Sequence, residues 1–234
     1  MPPRENRLSA RRDARRNRER LLHAARRAFA DQGAEAALDG IARKAGLVVG
    51  TLYRHFPTRL HLLCAVLEPK LRHVIKEAEA ALGLEDPWEA FRDLLEVLCA
   101  AQAGDRAFGD FLARRFSGDD RTEAAHHQIC VLAQRALGRA QAAGVVRSDV
   151  TGADLFLLLW ASSRIAEATR HVAPSMWRRH AYLALDGFRA TNRLDLREPA
   201  WDADQLYRAM AEAGKQTDRV SSGEEPPRRA GENP

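Results

Sequence analysis

Apolar residues in the first third of the chain recur three and four positions apart, which is the spacing of one helix face. This pattern predicts a first helix from Arg11 to a stop at Gly33, and a short second helix that ends at Gly46. A third helix is predicted to begin near Val48 and to end before Pro57, because proline disfavours helical backbone in the residue that precedes it. The predicted inward positions are Leu22, Ala25 and Phe29; Leu38, Ile41, Ala42 and Ala45; and Val49, Leu52 and Phe56.

The rest of the chain repeats this spacing over longer stretches, which predicts amphipathic helices. Thr58 is placed to cap a fourth helix, which we expect Pro69 to kink or interrupt. Long alternating runs typical of strands are missing, so the fold class is predicted to be all-α. Further helices are predicted after the cap at Asp86, over about 121–144, over 155–169 behind a capping box of Thr151 and Asp154, over 175–188, and over 202–213.

The composition is that of an ordinary soluble globular protein, with 234 residues, 45% of them hydrophobic and 29% charged. Its three cysteines are odd in number and far apart, so they predict no disulfide framework and suit a reducing cytoplasm. Arginine, not an apolar signal segment, dominates the first residues. The longest apolar run, residues 155–161, is far shorter than a membrane span. We therefore expect a cytoplasmic protein with no membrane partner.

Positive charge is concentrated at the N-terminus. Residues 1–60 carry 14 basic and 6 acidic side chains, whereas the remainder carries 23 basic and 26 acidic ones. A basic N-terminal segment on a mildly acidic remainder indicates that the N-terminal segment contacts a polyanion. The alternative is a basic N-terminus that is merely solvated. We expect an arginine cluster in this segment to follow DNA phosphates or enter a minor groove, with Arg15, Arg16 and Arg18 as the first candidates. The cluster consists of Arg11, Arg12, Arg15, Arg16, Arg18 and Arg20.

The most informative segment is residues 41–56, which predict two short helices joined by a tight turn at Gly46. The apolar positions hold the second helix against the first and leave Gly50, Thr51, Tyr53 and Arg54 without a core to join. An exposed helix with a glycine, small polar groups and a basic residue fits a DNA major groove. A side chain at position 50 would hold that helix away from the DNA.

This segment resembles the signature of the TetR family of transcriptional regulators. The resemblance extends over about residues 15–65 and implies a three-helix DNA-binding domain, an operator-bound homodimer and a C-terminal domain whose ligand releases the DNA. In such a dimer the last two long helices of each subunit form a four-helix interface. The matching residues are Ile41-Ala42, Ala45-Gly46, Gly50-Thr51-Leu52-Tyr53, His55-Phe56 and Pro57-Thr58-Arg59, with Ala24-Ala25, Phe29 and Gly33 upstream.

The same resemblance implies residue roles. Thr51 and Arg54 are candidate base readers, and Tyr53, His55 and Arg59 are candidate phosphate contacts. Leu52 and Phe56 are implied to be core residues. The predicted DNA-binding set is Arg15, Arg16, Arg18, Lys44, Val49, Gly50, Thr51, Tyr53, Arg54, His55 and Arg59.

The chain departs from the family pattern where a hydroxyl is usual. Val48 begins the recognition helix, and Ala36 and Ala37 precede the second helix, so a cap or phosphate contact is missing at each place. These departures leave open a second hypothesis, a helical small-molecule-binding protein that has lost DNA binding.

The C-terminal half is predicted to hold an apolar or amphipathic effector of unknown identity, although ordinary core packing is expected at most aromatic positions. His126 and Cys130 have the spacing of metal ligands, but no tighter cluster surrounds them, and no nucleophile elbow or phosphate-binding glycine loop is present. We therefore expect no metal, no cofactor and no enzyme activity. The candidate ligand residues are Trp88, Phe91, Leu95, Phe108, Phe111, Phe116 and Trp160.

Together these observations predict four parts of the chain. They are a disordered arm over 1–10, a helix-turn-helix domain over 11–58, a helical regulatory and dimerisation domain over 59–213, and a disordered tail over 214–234.

Overall fold

A computed structural model describes residues 4–113, 120–191, 194–202, 205 and 208–209. These ranges contain helices and no β-strand, apart from one isolated antiparallel bridge between Val146 and Arg189, so the predicted all-α fold is confirmed. The named helices are α1 (Arg4–Gln32), α2 (Leu38–Lys44), α3 (Val49–His55), α4 (Arg59–Leu82), α5 (Pro87–Ala103), α6 (Arg106–Ala113), α7 (Asp120–Ala142), α8 (Gly152–Thr169) and α9 (Met176–Gly187).

The first helix begins earlier than the sequence pattern predicted. The structure places its start at Arg4, whereas the sequence predicted a disordered arm over 1–10 and a helix from Arg11. The physical reason is local propensity, because no glycine or proline follows Pro3 until Gly33 and the intervening Arg, Glu and Ala are good helix formers. Gly33 ends α1 with a positive φ of 81°, as predicted.

Helix α4 joins the two halves of the molecule, since it packs against α1 on one side and against α5 and α7 on the other. It continues through Pro69 without interruption. Leu67 and Leu71 on either side of the proline are almost fully buried, so tertiary packing holds the helix where its backbone lacks a donor. At the start of α4, the Thr58 hydroxyl accepts a hydrogen bond from the His61 N–H at 3.2 Å, as the predicted cap requires.

The larger half is a bundle centred on α5, which packs against α4, α7, α8 and α9. Its start is capped by Asp86, whose carboxylate accepts the Glu89 N–H at 2.9 Å. An apolar stripe along α5 is buried over its whole length. Its members are Phe91, Leu94, Leu95, Leu98 and Cys99.

One element was not predicted from the sequence. Helix α6 occupies Arg106–Ala113, between Gly104 and the part of the chain outside the described residues. The Asp105 carboxylate caps it by accepting the Phe108 N–H at 3.1 Å. The predicted helix over 202–213 lies mostly outside the described residues, and the predicted tail over 214–234 lies wholly outside them. Within the described ranges, none of the helices is long and apolar enough to cross a membrane.

Candidate DNA-binding surface

The turn between α2 and α3 is closed by backbone hydrogen bonds around Gly46, whose φ is +65°. The Gly46 N–H donates to the Arg43 carbonyl and the Leu47 N–H donates to the Ala42 carbonyl, both at 2.9 Å. The Arg20 guanidinium of α1 lies over this turn, so a Cβ on Gly46 would stand 2.5 Å from Arg20 Nη2. A side chain at this position is therefore disfavoured by the positive φ, whereas the flexible Arg20 side chain can move aside.

Helix α3 is held in place by two buried apolar side chains. Leu52 is fully buried and Phe56, just beyond the helix, is 3% exposed. The prediction that Val49 also faces inward was wrong, because Val49 is 36% exposed and the preceding Val48 is 72% exposed. Val49 lies in the first turn of α3, beside the exposed Val48 and away from the buried end of the helix at Leu52 and Phe56. Two apolar side chains thus stand at the outer end of the recognition helix.

The outward face of α3 is open. An added Cβ at Gly50 would meet no atom within 4 Å, and Tyr53 is 48% exposed. The Arg54 side chain is exposed and has no ion-pair or hydrogen-bond partner among the described residues. Thr51 is half-buried beside them. A flat, unobstructed surface with one free guanidinium suits close approach to the edges of base pairs.

The three candidate arginines of α1 point in different directions. Arg15 forms an exposed ion pair with Glu19 at 3.5 Å. Arg18 is exposed, its guanidinium carbon lies 5.2 Å from the centre of the Phe56 ring, and it lines a cavity of about 440 Å³ together with His55. Arg16 faces the opposite side of α1, so these three residues do not form one contact surface.

A basic groove runs between α1 and the C-terminal end of α2. It contains Arg16 and Lys44 from the predicted DNA-binding set and Arg20 from the predicted arginine cluster. Two further side chains, His23 and Arg27, were not predicted to lie there. Spacing could have revealed these two, because positions 16, 20, 23 and 27 share one face of a helix. The acidic members of the groove are Glu19 and Asp31.

Arg59 is engaged within the fold. Its Nη1 donates hydrogen bonds to the carbonyl oxygens of Ala34 at 3.0 Å and Ala36 at 2.5 Å, and its Nε lies 3.8 Å from Glu35. The guanidinium therefore ties the α1–α2 connection to the start of α4. Its predicted phosphate contact remains a prediction.

Both short helices begin without a side-chain cap. The residues before α2 and α3 are Ala37 and Val48, and both have the extended backbone that a capping residue adopts. Neither side chain can accept a hydrogen bond from the first turn. The consequence expected from the sequence is therefore present in the structure.

Comparison with known proteins connects this geometry to a family. Residues 21–66 match the model for bacterial regulatory proteins of the tetR family, and residues 86–190 match the C-terminal domain of SbtR-like transcriptional regulators. A crystal structure of a TetR transcription regulatory protein from Mycobacterium vanbaalenii shares 32% identity, with 77% of this chain and 99% of that chain covered and a TM-score of 0.45. The chain belongs to the TetR family.

Two curated relatives are similar to parts of this TetR-family chain. TtgW of Pseudomonas putida, described as an uncharacterised HTH-type transcriptional regulator, is 40% identical over 79 residues, which are 33% of this chain and 59% of TtgW. The HTH-type transcriptional repressor KstR of Rhodococcus jostii is 28% identical over 156 residues, which are 65% of this chain and 73% of KstR. The first match therefore spans less than two thirds of the relative's length.

In the C-terminal half of this TetR-family protein, the candidate ligand residues are mostly packed in the core. Trp88 and Phe91 form a ring cluster that extends to Phe188, with centroid distances of 6.1 and 6.4 Å. Trp160 is half-buried and lines a cavity beside α6. Leu95, Phe108 and Phe111 are buried, and Phe116 lies outside the described residues.

Polar groups are also buried in this half. The Cys99 Sγ lies 3.7 Å from the Ser162 hydroxyl between α5 and α8, and burial raises the pKa of the Cys99 thiol to about 11. No group of three or more His, Cys, Asp and Glu that could hold a metal ion occurs among the residues the structure describes.

Proposed function

We propose that this TetR-family protein binds an operator in double-stranded DNA as a homodimer and represses transcription until a small-molecule effector releases it. The open face of α3, bare at Gly50 and carrying the free Arg54, is the observation that carries the proposal. The similarity to KstR, which is described as a transcriptional repressor, supports repression rather than activation of transcription.

In this proposal α3 lies in the major groove. Arg54 and Thr51 meet base edges there, with an Arg–guanine pair as the strongest single source of discrimination. Tyr53, His55 and the groove residues Arg16 and Lys44 contact phosphates on the flanking strands. The net positive charge of the first 60 residues attracts the polyanion and makes binding dependent on salt.

The proposed dimer interface lies on α8 and α9. Two apolar side chains of α9 point to solvent, Met176 at 42% and Leu183 at 65% exposed, and Leu157 of α8 is half-buried. Pairing these faces about a two-fold axis would present two α3 helices to successive major grooves, roughly 34–36 Å apart.

The effector is proposed to act through α4, which is shared by both halves. A ligand that favours one packing of α4 among α5 and α7 would change the separation of the two α3 helices, and the affinity for DNA would change with it. An apolar or amphipathic molecule suits the aromatic composition of this bundle. The proposal places the protein in the cytoplasm with the DNA and assigns it no catalysed reaction.

A second candidate is a helical small-molecule-binding protein that has lost DNA binding. One observation favours it, namely that neither Ala37 nor Val48 provides a side-chain cap or a phosphate donor. The two candidates differ in a single measurable property, which is specific affinity for DNA.

The deciding experiment is a fluorescence anisotropy titration of the full chain with DNA from upstream of its own gene and with scrambled DNA, at several salt concentrations. We expect tighter binding to the upstream DNA and a log–log salt slope of about −0.9 for each phosphate contact. Arg54→Ala should cost about 1–3 kcal/mol on the upstream DNA alone. Arg135→Ala, at an exposed position of α7, is the matched control. Equal, weak affinity for both DNAs would favour the second candidate.

A further inference from the structure

A cavity of about 230 Å³ lies where the DNA-binding and regulatory halves meet. Its walls come from the end of α1, the connection between α5 and α6, the start of α6 and the second half of α8. We refer to it as the junction cavity. The residues that matter for its chemistry are Asp31, Arg106, Gly109, Trp160, Ser163 and Arg170.

The charges around the junction cavity leave a positive surplus on the α8 side. Arg106 and Arg164 each approach a different oxygen of the same carboxylate, Glu167, at 3.0 Å. The half-buried Arg170 has no ion-pair partner in the part of the chain that the structure describes. Three guanidinium groups and one carboxylate therefore line this side of the cavity.

The acids on the other side do not cancel this surplus. Asp105 is already paired with Lys70 of α4, whose Nζ lies 3.2 Å from Oδ2. Asp31 is exposed at the end of α1. Counting these groups together with Lys70 leaves one net positive charge, so the cavity favours a ligand with a single negative charge.

Size and shape narrow the ligand further. A cavity of about 150 Å³ is known to hold benzene, so the junction cavity has room for roughly ten non-hydrogen atoms. The half-buried indole of Trp160 supplies a flat apolar wall, and guanidinium groups bind carboxylates with two parallel hydrogen bonds. An aromatic ring carrying one carboxylate satisfies all three features.

We propose that the junction cavity is a binding site for a small aromatic monocarboxylate, held by Arg170 and its neighbouring guanidinium groups and packed against Trp160. The site is separate from the apolar effector proposed above, and it does not rest on DNA binding. Its walls include α1, α6 and α8, and Asp105 joins it to α4. Occupancy would therefore fix the position of the DNA-binding half relative to the bundle.

The first test is isothermal titration of the full chain with benzoate and with benzamide, its neutral counterpart. A ligand of this size binds with a Kd on the order of 0.1–1 mM, and benzoate should bind at least about tenfold more tightly than benzamide because only benzoate pairs with a guanidinium. Arg170→Gln should remove this preference, whereas Arg135→Gln should keep it. Equal heats for benzoate and benzamide with the wild-type chain would overturn the proposal, as would full benzoate affinity in Arg170→Gln.

A second variant tests the location independently of charge. A Cβ on Gly109 would stand 2.8 Å from the Ser163 hydroxyl oxygen, so one of these two cavity-lining groups would have to move. Gly109→Ala should weaken benzoate binding about fivefold or more, and adding Ser163→Ala should restore it to within about twofold of wild type, because the crowded oxygen is gone. Gly138→Ala, where an added Cβ meets nothing within 4 Å, is the control. Unchanged benzoate affinity in folded Gly109→Ala protein would place the binding site elsewhere.

Discussion

At the scale of single residues, Arg59 shows how the structure gives a basic side chain a role that its sequence context does not reveal. Its guanidinium satisfies the carbonyl oxygens of Ala34 and Ala36 in the connection between α1 and α2. Arg59→Ala should therefore lower the free energy of unfolding by about 1–2 kcal/mol, because hydrogen bonds to a charged donor are lost. Urea denaturation followed by circular dichroism measures this change.

The same variant also tests the phosphate contact implied by the family resemblance. If Arg59 acts only within the fold, the log–log slope of DNA affinity against salt concentration should be the same for Arg59→Ala as for the wild type. The slope is measured under conditions in which the variant is folded. A slope that is shallower by about 0.9, the contribution of one phosphate contact, with an unchanged free energy of unfolding, would show that Arg59 binds phosphate instead. Arg135→Ala again provides the control for removal of one surface charge.

At the scale of elements, the missing caps of α2 and α3 make a gain of function testable. Val48 has φ −84° and ψ 150°, which is the backbone of a capping residue, but its side chain accepts no hydrogen bond. Val48→Ser should stabilise the protein by about 1 kcal/mol, through a bond to the first turn of α3, and should tighten DNA binding through a new phosphate donor. Thermal unfolding measures the gain in stability, and anisotropy titration measures the gain in DNA affinity.

The control for Val48→Ser is Val172→Ser, at an exposed valine outside the named helices. A lower melting temperature in Val48→Ser would contradict the assignment of Val48 as the cap position.

Periodicity made most of the helices predictable, because a buried stripe such as Leu38, Ile41 and Ala42 leaves a regular trace in the sequence. Helix α6 was missed because its trace is short. It spans eight residues and contains Gly109, and its buried Phe108 and Phe111 supply a single step of helical spacing, so the helix depends on packing against α1, α5 and α8.

The candidate site was predictable to a similar extent. The exposed face of α3 follows from the positions left over once Leu52 and Phe56 are buried. The engagement of Arg59 with two carbonyl oxygens does not follow, because the partners lie 23 and 25 positions away in the sequence. The α1 side of the basic groove follows from positions that share one helix face, but its pairing with Lys44 needed the relative placement of α1 and α2, which no local pattern contains.

At the scale of the whole molecule, burial decides which residues can test the dimer. Leu158 of α8 and Leu185 of α9 lie on the two helices of the proposed interface, but they are 3% and 2% exposed and belong to the core of one subunit. Charges there would unfold the protein whatever its oligomeric state. Leu183 is 65% exposed on α9 and is the better test position.

Leu183→Glu should convert the proposed dimer to a monomer, because two buried carboxylates would oppose each other across the two-fold interface. Sedimentation velocity at micromolar concentration measures the mass, and circular dichroism checks that the helices are intact. Leu84→Glu, on the exposed connection between α4 and α5, should remain dimeric. A wild-type monomer would contradict the proposed assembly.

The measurement that tests the central claim most directly is the operator affinity of Gly50→Leu. Position 50 lies on the open face of α3. Glycine is less favourable in a helix than alanine by about 0.8–1.0 kcal/mol, and leucine ranks just below alanine, so the variant should be folded and at least as stable. If α3 enters the major groove, the new side chain stands between helix and bases, and affinity should fall to that of random DNA, about 10³-fold or more. Gly138→Leu, equally open but on α7, should bind like wild type. Undiminished operator binding by Gly50→Leu would contradict the account.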